Sequence, residues 1–204
     1  MTTKSEKEAK DTAYSLFVAP RPYSFELSAE MLELLRKEFD PPIIITKLAE
    51  AVAGKKEAEI DAVAEKILGK YGEEWMKKTL QLGEEYPDRT YEMLKEAADQ
   101  IGELVFPHVL QRFIEIAYLS TQQFRVLPIV ENWAHRLVYK VTNCYTFKML
   151  QEKCGSDVAS LLPCRHACLT LCRTGWEGLN MDATVDMDAT MVKDGYCQFA
   201  INRI

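Results

Sequence analysis

The stretch Met181-Asp182-Ala183-Thr184-Val185-Asp186-Met187-Asp188-Ala189-Thr190-Met191 alternates without a fault. Met181, Ala183, Val185, Met187, Ala189 and Met191 fall on one side of an extended chain, and Asp182, Thr184, Asp186, Asp188 and Thr190 on the other. Successive side chains of a strand point to opposite faces, so the stretch predicts a half-buried strand with one wet, acidic face. Lys193-Asp194-Gly195 supplies a turn, and Tyr196 to Arg203 alternates again as a final strand. The chain therefore closes on an antiparallel hairpin with its turn near Asp194.

Upstream, Phe124 to Val130 and Arg136 to Val141 are rich in β-branched and aromatic residues, with Glu131-Asn132-Trp133-Ala134 able to turn between them. They predict two more strands in the same sheet. Helical segments at about 145–153 and 157–177 stand between the strand pairs, separated by Gly155.

Before residue 123 the period is helical. Ser28 is a good N-cap for a helix through Met31, Leu32, Leu34, Leu35 and Phe39, which Asp40-Pro41-Pro42 ends. A run at 43–53 stops at Gly54. Another, with Ile60, Val63, Ala64, Ile67 and Leu68 on one face, stops near Gly69 and Gly72, and 73–82 is helical again. Asp88 can cap a long helix from about 89 to 120, kinked at Pro107. Residues 1–27, with Pro20 and Pro22, read as a short helix or coil followed by an extended arm. The fold class is α+β, read as one domain over 1–204. Residues 1–120 are mostly helical, and 121–204 hold a sheet of about four strands with a cysteine-bearing helix inserted.

The chain has 204 residues and a net charge of -6, with no basic stripe to neutralise phosphates, which argues against a nucleic-acid binder. No apolar run approaches the ~20 residues of a membrane span. The start, MTTKSEKEAKD, is polar with no apolar segment behind it, unlike a signal peptide. A cytoplasmic address follows, where thiols stay reduced. The expected partner is a small-molecule ligand or substrate, and self-association into a homo-oligomer stays open.

All six cysteines lie in the last third: Cys144, Cys154, Cys164, Cys168, Cys172 and Cys197. On a helix, Cys164, Cys168 and Cys172 share one face, about 6 Å apart per step at 1.5 Å per residue. The ends are roughly 12 Å apart, so the three cannot share one metal while helical. A metal site needs Cys144 or Cys197 brought in by the fold, or His166 from a distorted helix, and Cys144, Cys168 and Cys197 are the expected set if metal, with zinc the candidate, is present. The other account makes the helical cysteines small buried hydrophobes, as free cysteines most often are. If Pro163 opens a helix, Cys164 lies in its first turn beside Arg165, where the dipole and the guanidinium favour a thiolate. Asp194 sits at the mouth of the sheet with Cys197. His108 and His135 are isolated and read as structural, and Asp182, Asp186 and Asp188 as a solvated strand face.

Val141-Thr142-Asn143-Cys144 at a strand end, the helical pair Cys164 and Cys168, and Asp194-x-x-Cys197-x-Phe199 in the last strand resemble the family named for L-2-amino-thiazoline-4-carboxylic acid hydrolase. Lys193 stands where that family has glycine. The ending is also distantly similar to vinyl-reductase small-molecule-binding domains. The first resemblance covers about the last 65 residues and implies hydrolysis of a cyclic, amidine-type C=N bond. Such a reaction needs a nucleophile and a proton donor to the leaving nitrogen. Cys164, Cys168 or Cys197 would be the nucleophile, and Asp194 or His166 would shuttle protons. The second implies a non-catalytic module that binds a small molecule or zinc, or acts as a sensor.

Overall fold

A computed structural model describes residues 28–122, 126–162 and 164–204. The arm expected over 1–27, the opening of the first strand at Phe124 and the helix start expected at Pro163 lie outside the described residues.

Helix α1 (Ala29–Phe39) buries Met31, Leu35 and Phe39, one residue per turn, and Ser28 Oγ accepts from the Met31 N–H at 3.4 Å. Asp40 is extended, and α2 (Pro41–Val52) starts at once on Pro41, whose fixed φ and missing N–H suit a first helical position. Helix α3 (Glu57–Glu85) runs for 29 residues, about 43 Å at 1.5 Å per residue. It passes straight through Gly69 and Gly72, where the sequence predicted a stop. Each interior glycine costs a helix roughly 1 kcal/mol, and burial of Ile60, Ala64, Leu68, Tyr71, Trp75, Met76 and Leu82 on one side of the rod outweighs that cost. Gly72 is there for space: a Cβ on it would lie 2.1 Å from the Ala167 carbonyl oxygen.

The single kinked helix expected over 89–120 is two helices. In α4 (Arg89–Ile101) the Asp88 side chain accepts from the Tyr91 N–H at 2.8 Å, and Gly102 at φ +80° ends the helix with its N–H on the Ala98 carbonyl. The break therefore precedes Pro107, at a glycine that takes the left-handed conformation. Helix α5 (His108–Thr121) is buried on nearly every side.

Strands β1 (Ile129–Trp133), β2 (Arg136–Thr142), β3 (Ala183–Ala189) and β4 (Tyr196–Arg203) form one antiparallel sheet in the order β1-β2-β4-β3. The β1–β2 turn is Ala134-His135, shorter and later than the tetrapeptide 131–134, because Trp133 pairs directly with Arg136. Between β2 and β3 lie α6 (Tyr145–Cys154), α7 (Ser156–Leu161) and α8 (Arg165–Gly178). The helix expected over 157–177 is thus broken, since Leu162, which precedes a proline in sequence, is extended as such residues prefer. Along β3, Thr184, Asp186 and Asp188 are exposed and alternate with half-buried Ala183, Val185 and Met187. The turn between β3 and β4 contains a short helix, α9 (Met191–Asp194), closed by Gly195 at φ +74°.

The helical part and the sheet share one apolar core. A run of aromatic rings threads it from α1 to β4. Phe39 meets Tyr71 at 5.9 Å between centroids, Tyr71 meets Trp75 at 5.5 Å, and Trp75 meets Tyr118 edge-on at 5.4 Å. Tyr118 then meets Tyr139 at 5.8 Å, and Tyr139 stacks on Phe199 at 5.1 Å. Each such pair adds about 0.5–1.5 kcal/mol beyond its burial. The packing of α3 and α5 on the sheet is thereby held in one arrangement. No described helix is long and apolar enough to cross a membrane.

Candidate functional site

The end of β2, the start of β4 and the start of α8 meet α3 and α5 around a small cavity. Register brings the first two together, since Val141 stands opposite Cys197 in the β2–β4 ladder, three residues before Cys144. Cys144 precedes α6 as its N-cap residue, and Cys164 holds the same position before α8, with Cys168 one turn further on. All four thiols, Cys144, Cys164, Cys168 and Cys197, line the cavity, whose volume is about 30 Å³. Leu68, Tyr71, Trp75 and Tyr118 wall it on the helical side, and Val141, Met187 and Met191 on the sheet side.

Polar groups in the lining are few. Gln122, 5 % exposed, uses its side-chain oxygen to accept from the Cys144 thiol at 3.5 Å and from the Thr146 N–H at 3.4 Å. Its amide nitrogen donates to Thr146 Oγ1 at 2.9 Å. The Tyr118 hydroxyl faces Cys168. Among the described residues, Arg165 is the one cation in the lining, and no carboxylate or imidazole joins it.

This surrounding decides the protonation state of the thiols. Burial pushes Cys164 up to about 12, helped by the neighbouring Cys144 and Cys197 and opposed by Arg165. The sequence expectation of a stabilised Cys164 thiolate is reversed, because desolvation outweighs the adjacent guanidinium. Cys164 also sits at the cap, before the first turn rather than inside it. Burial raises Cys197 to about 11 against a hydrogen bond from the Met191 backbone, with Asp194 adding a smaller push in the same direction. Cys168 is well above the ordinary range, also through burial. Cys144 rises for the same reason, although the Phe147 and Thr146 backbone groups at the start of α6 draw it down. At neutral pH the four are thiols.

The remaining candidates lie elsewhere. Asp194 is exposed and accepts from the Thr190 N–H at 2.8 Å, bracing the turn rather than lining the cavity. His166 points out of the cavity into a surface groove between α3 and α8. Cys172 is fully buried, 3.2 Å from the Tyr139 hydroxyl, and belongs to the core. Cys154, at the end of α6, is half-buried and not in the lining. Gln122 and Thr146 were not singled out in the sequence, where nothing distinguishes a polar residue at a helix end from a surface one.

No family model matches this chain, and no curated protein matches it. Among solved structures, the Fe(II) unliganded H-NOX protein from K. algicida is similar over 86 % of this chain and 94 % of its own, at 14 % identity and a TM-score of 0.36. A mutant of that protein gives the same figures. A likeness of this size supports no inference about ligand or activity.

Proposed function

We propose that this chain is a non-catalytic binding module whose thiol cavity takes up one thiophilic metal ion, zinc in the first instance. The observation that carries the reading is the convergence of four cysteines from three separate parts of the chain on one cavity, with no carboxylate or imidazole in its lining among the described residues. Four thiolates are a common donor set of structural tetrahedral zinc. Size supports an ion over an organic ligand. Pockets for drug-sized molecules run to ~300–1,000 Å³, whereas 30 Å³ is room for a water or two.

Among the described residues, no three of the sulfurs lie within 4.8 Å of one another. Zn–S bonds of about 2.3 Å set sulfurs roughly 3.8 Å apart. Loading therefore requires the thiols to turn inward, and stepping χ1 from one rotamer to the next carries a cysteine sulfur by ~3 Å. Each thiol that binds releases its proton, so uptake weakens as pH falls. Arg165 offsets the negative charge of a tetrathiolate, and Gln122 and Tyr118 orient Cys144 and Cys168 from outside the ligand set.

Hydrolysis of a cyclic C=N bond is the competing reading. It requires a thiolate or an activated water, with a proton donor at the leaving nitrogen. Thiols held neutral, in a lining that has no carboxylate or imidazole among the described residues, favour binding over turnover.

The deciding experiment is elemental analysis of protein purified under reducing conditions, run beside an assay of ring opening on 2-aminothiazoline-4-carboxylate. One zinc per chain is expected, with occupancy and melting temperature falling together in Cys168→Ser and Cys197→Ser, and no turnover. A folded protein that ignores added zinc, or ring opening abolished by one cysteine change that leaves the fold intact, would overturn the proposal.

A further inference from the structure

We infer a ligand site outside the thiol cavity, in a surface groove where the end of α1, the start of α2 and the middle of α3 meet, and assign it to a small apolar carboxylate. The inference does not rest on the metal reading. Helix α2 carries three isoleucines in a row, Ile43-Ile44-Ile45. Successive residues of a helix stand about 100° apart, so the three cannot all face one core. Ile44 and Ile45 are buried, and Ile43 is left 55 % exposed at the edge of the groove. Phe39, Ile44 and Tyr71, all buried, make its floor with half-buried Ile67. That floor is already in place before anything binds. The Tyr71 hydroxyl donates to the Phe39 carbonyl at 2.7 Å, and the two rings lie 5.9 Å apart, so no ordering cost falls on the ligand. The groove measures about 350 Å³. That is within the ~300–1,000 Å³ of pockets that hold small organic molecules.

Charge selects the kind of molecule. Three lysines border the floor, Lys47 on α2 with Lys66 and Lys70 on α3, against two carboxylates, Glu38 and Glu74. Both carboxylates already face a lysine, Glu74 at 3.5 Å from Lys70 and Glu38 at 3.7 Å from Lys78. Lys47 and Lys66, one from each helix, form no ion pair among the described residues. The rim thus keeps a surplus of positive charge on a chain whose net charge is -6. An apolar floor with cations on both sides complements a molecule that has an apolar body and one negative group. An amine would be repelled, and a neutral alcohol would leave both lysines unused.

The test is a nuclear magnetic resonance titration of the full, reduced chain with labelled isoleucine methyls. Octanoate, below its micelle-forming concentration, is the probe, with octanol and octylamine beside it. Saturable shifts are expected at Ile43, Ile44 and Ile67, and none at Ile114 and Ile116, which are buried in α5. Octanoate should bind at least about threefold tighter than octanol, octylamine should bind least, and salt should narrow the difference because the rim lysines are exposed. Hexanoate should bind roughly tenfold more weakly than octanoate, since each buried methylene is worth about fourfold. Lys47→Gln and Lys66→Gln, both at exposed positions, should each weaken octanoate by up to about fivefold and leave octanol unchanged. Ile43→Asn should weaken both ligands. No saturable shift at the three isoleucines, octanol binding as tightly as octanoate, or octanoate affinity unchanged when both lysines are replaced overturns the inference.

Discussion

The Tyr71 hydroxyl donates to the Phe39 carbonyl oxygen at 2.7 Å, tying one wall of the thiol cavity to the last residue of α1. That carbonyl is among the last of its helix and has no partner further along it. The bond thus satisfies a helix end and fixes the ring that closes the cavity. Tyr71→Phe should keep the aromatic contacts and lose only this bond. The expected cost is about 1–2 kcal/mol, read by urea denaturation, as for a buried acceptor left unmade. No measurable change would mean that water replaces the hydroxyl.

Two glycines on α3 should respond with opposite signs. At Gly72 a Cβ meets the Ala167 carbonyl oxygen at 2.1 Å and its carbon at 2.9 Å, both backbone atoms that cannot swing away. Gly72→Ala must push α8 off α3 and should cost at least ~2 kcal/mol, at the upper end of an overpacked core. At Gly69 the nearest atom is Thr170 Oγ1 at 3.7 Å, an ordinary contact. Gly69→Ala should then gain up to ~1 kcal/mol from helix propensity. Thermal melting of the two variants checks the pair, and equal effects would refute the close crossing.

These glycines also show where the sequence was legible and where it was not. Alternation from Met181 to Met191 depends on local burial alone, and the strand and its acidic face were readable from it, while the other three strands were read from the runs at 124–130, 136–141 and 196–203. Ser28 and Asp88 were readable as caps because a cap is a local bond. Gly72 was misread as a stop because its reason is a contact with residue 167, almost a hundred positions away, and Gly69 was misread with it because burial along α3 outweighs its helix penalty. The grouping of Cys144, Cys168 and Cys197, with Cys164 beside them, could be expected from strand ends. The protonation of Cys164 could not, because it depends on how deeply a distant helix covers it.

Asp88 carries two duties, capping α4 and pairing with buried Arg112 at 3.3 Å, where the side chains are 10 % and 4 % exposed. Arg112 is also stacked at 4.4 Å over Tyr91 and donates to the Gly83 carbonyl at 3.3 Å. Asp88→Ala leaves that guanidinium uncompensated and should cost about 3–5 kcal/mol. Asp88→Asn retains a capping oxygen and should cost less. The exposed Lys95–Glu84 pair is the control, since its loss should matter by no more than about 1 kcal/mol. Denaturant midpoints for the three variants should fall in that order.

Alkaline pH should destabilise the reduced, metal-free protein. Burial raises Cys172 to about 12 and Cys197 to about 11, from an ordinary value of 9.0 that the unfolded chain recovers. The fold holds these protons more tightly than the unfolded chain does. Their contribution is therefore complete below pH 9 and is lost as pH rises toward 11 and 12. Melting temperature should fall across that window, and Cys172→Ala should lose less of its stability there than wild type does. A flat profile above pH 9 would mean that the thiols are better solvated than the cavity implies.

Thiol labelling reads the same burial from the side of reactivity. Cys154 is half-buried at the end of α6, and its partial burial raises its pKa with no neighbouring thiol adding to the rise. Cys164 is raised to about 12 despite Arg165. At pH 8 Cys164 is then almost wholly a thiol, whereas the thiolate is the form that reacts. A limiting amount of iodoacetamide should therefore modify Cys154 first and Cys164 slowly, with the order read by peptide mass spectrometry. Mild urea should speed Cys164, Cys168 and Cys197 together, because opening the cavity exposes all three. Zinc added beforehand should protect those three and leave Cys154 unchanged. Cys164 labelling ahead of Cys154 would show that the Arg165 guanidinium outweighs desolvation, and the nucleophilic role implied by the hydrolase resemblance would then gain over metal binding.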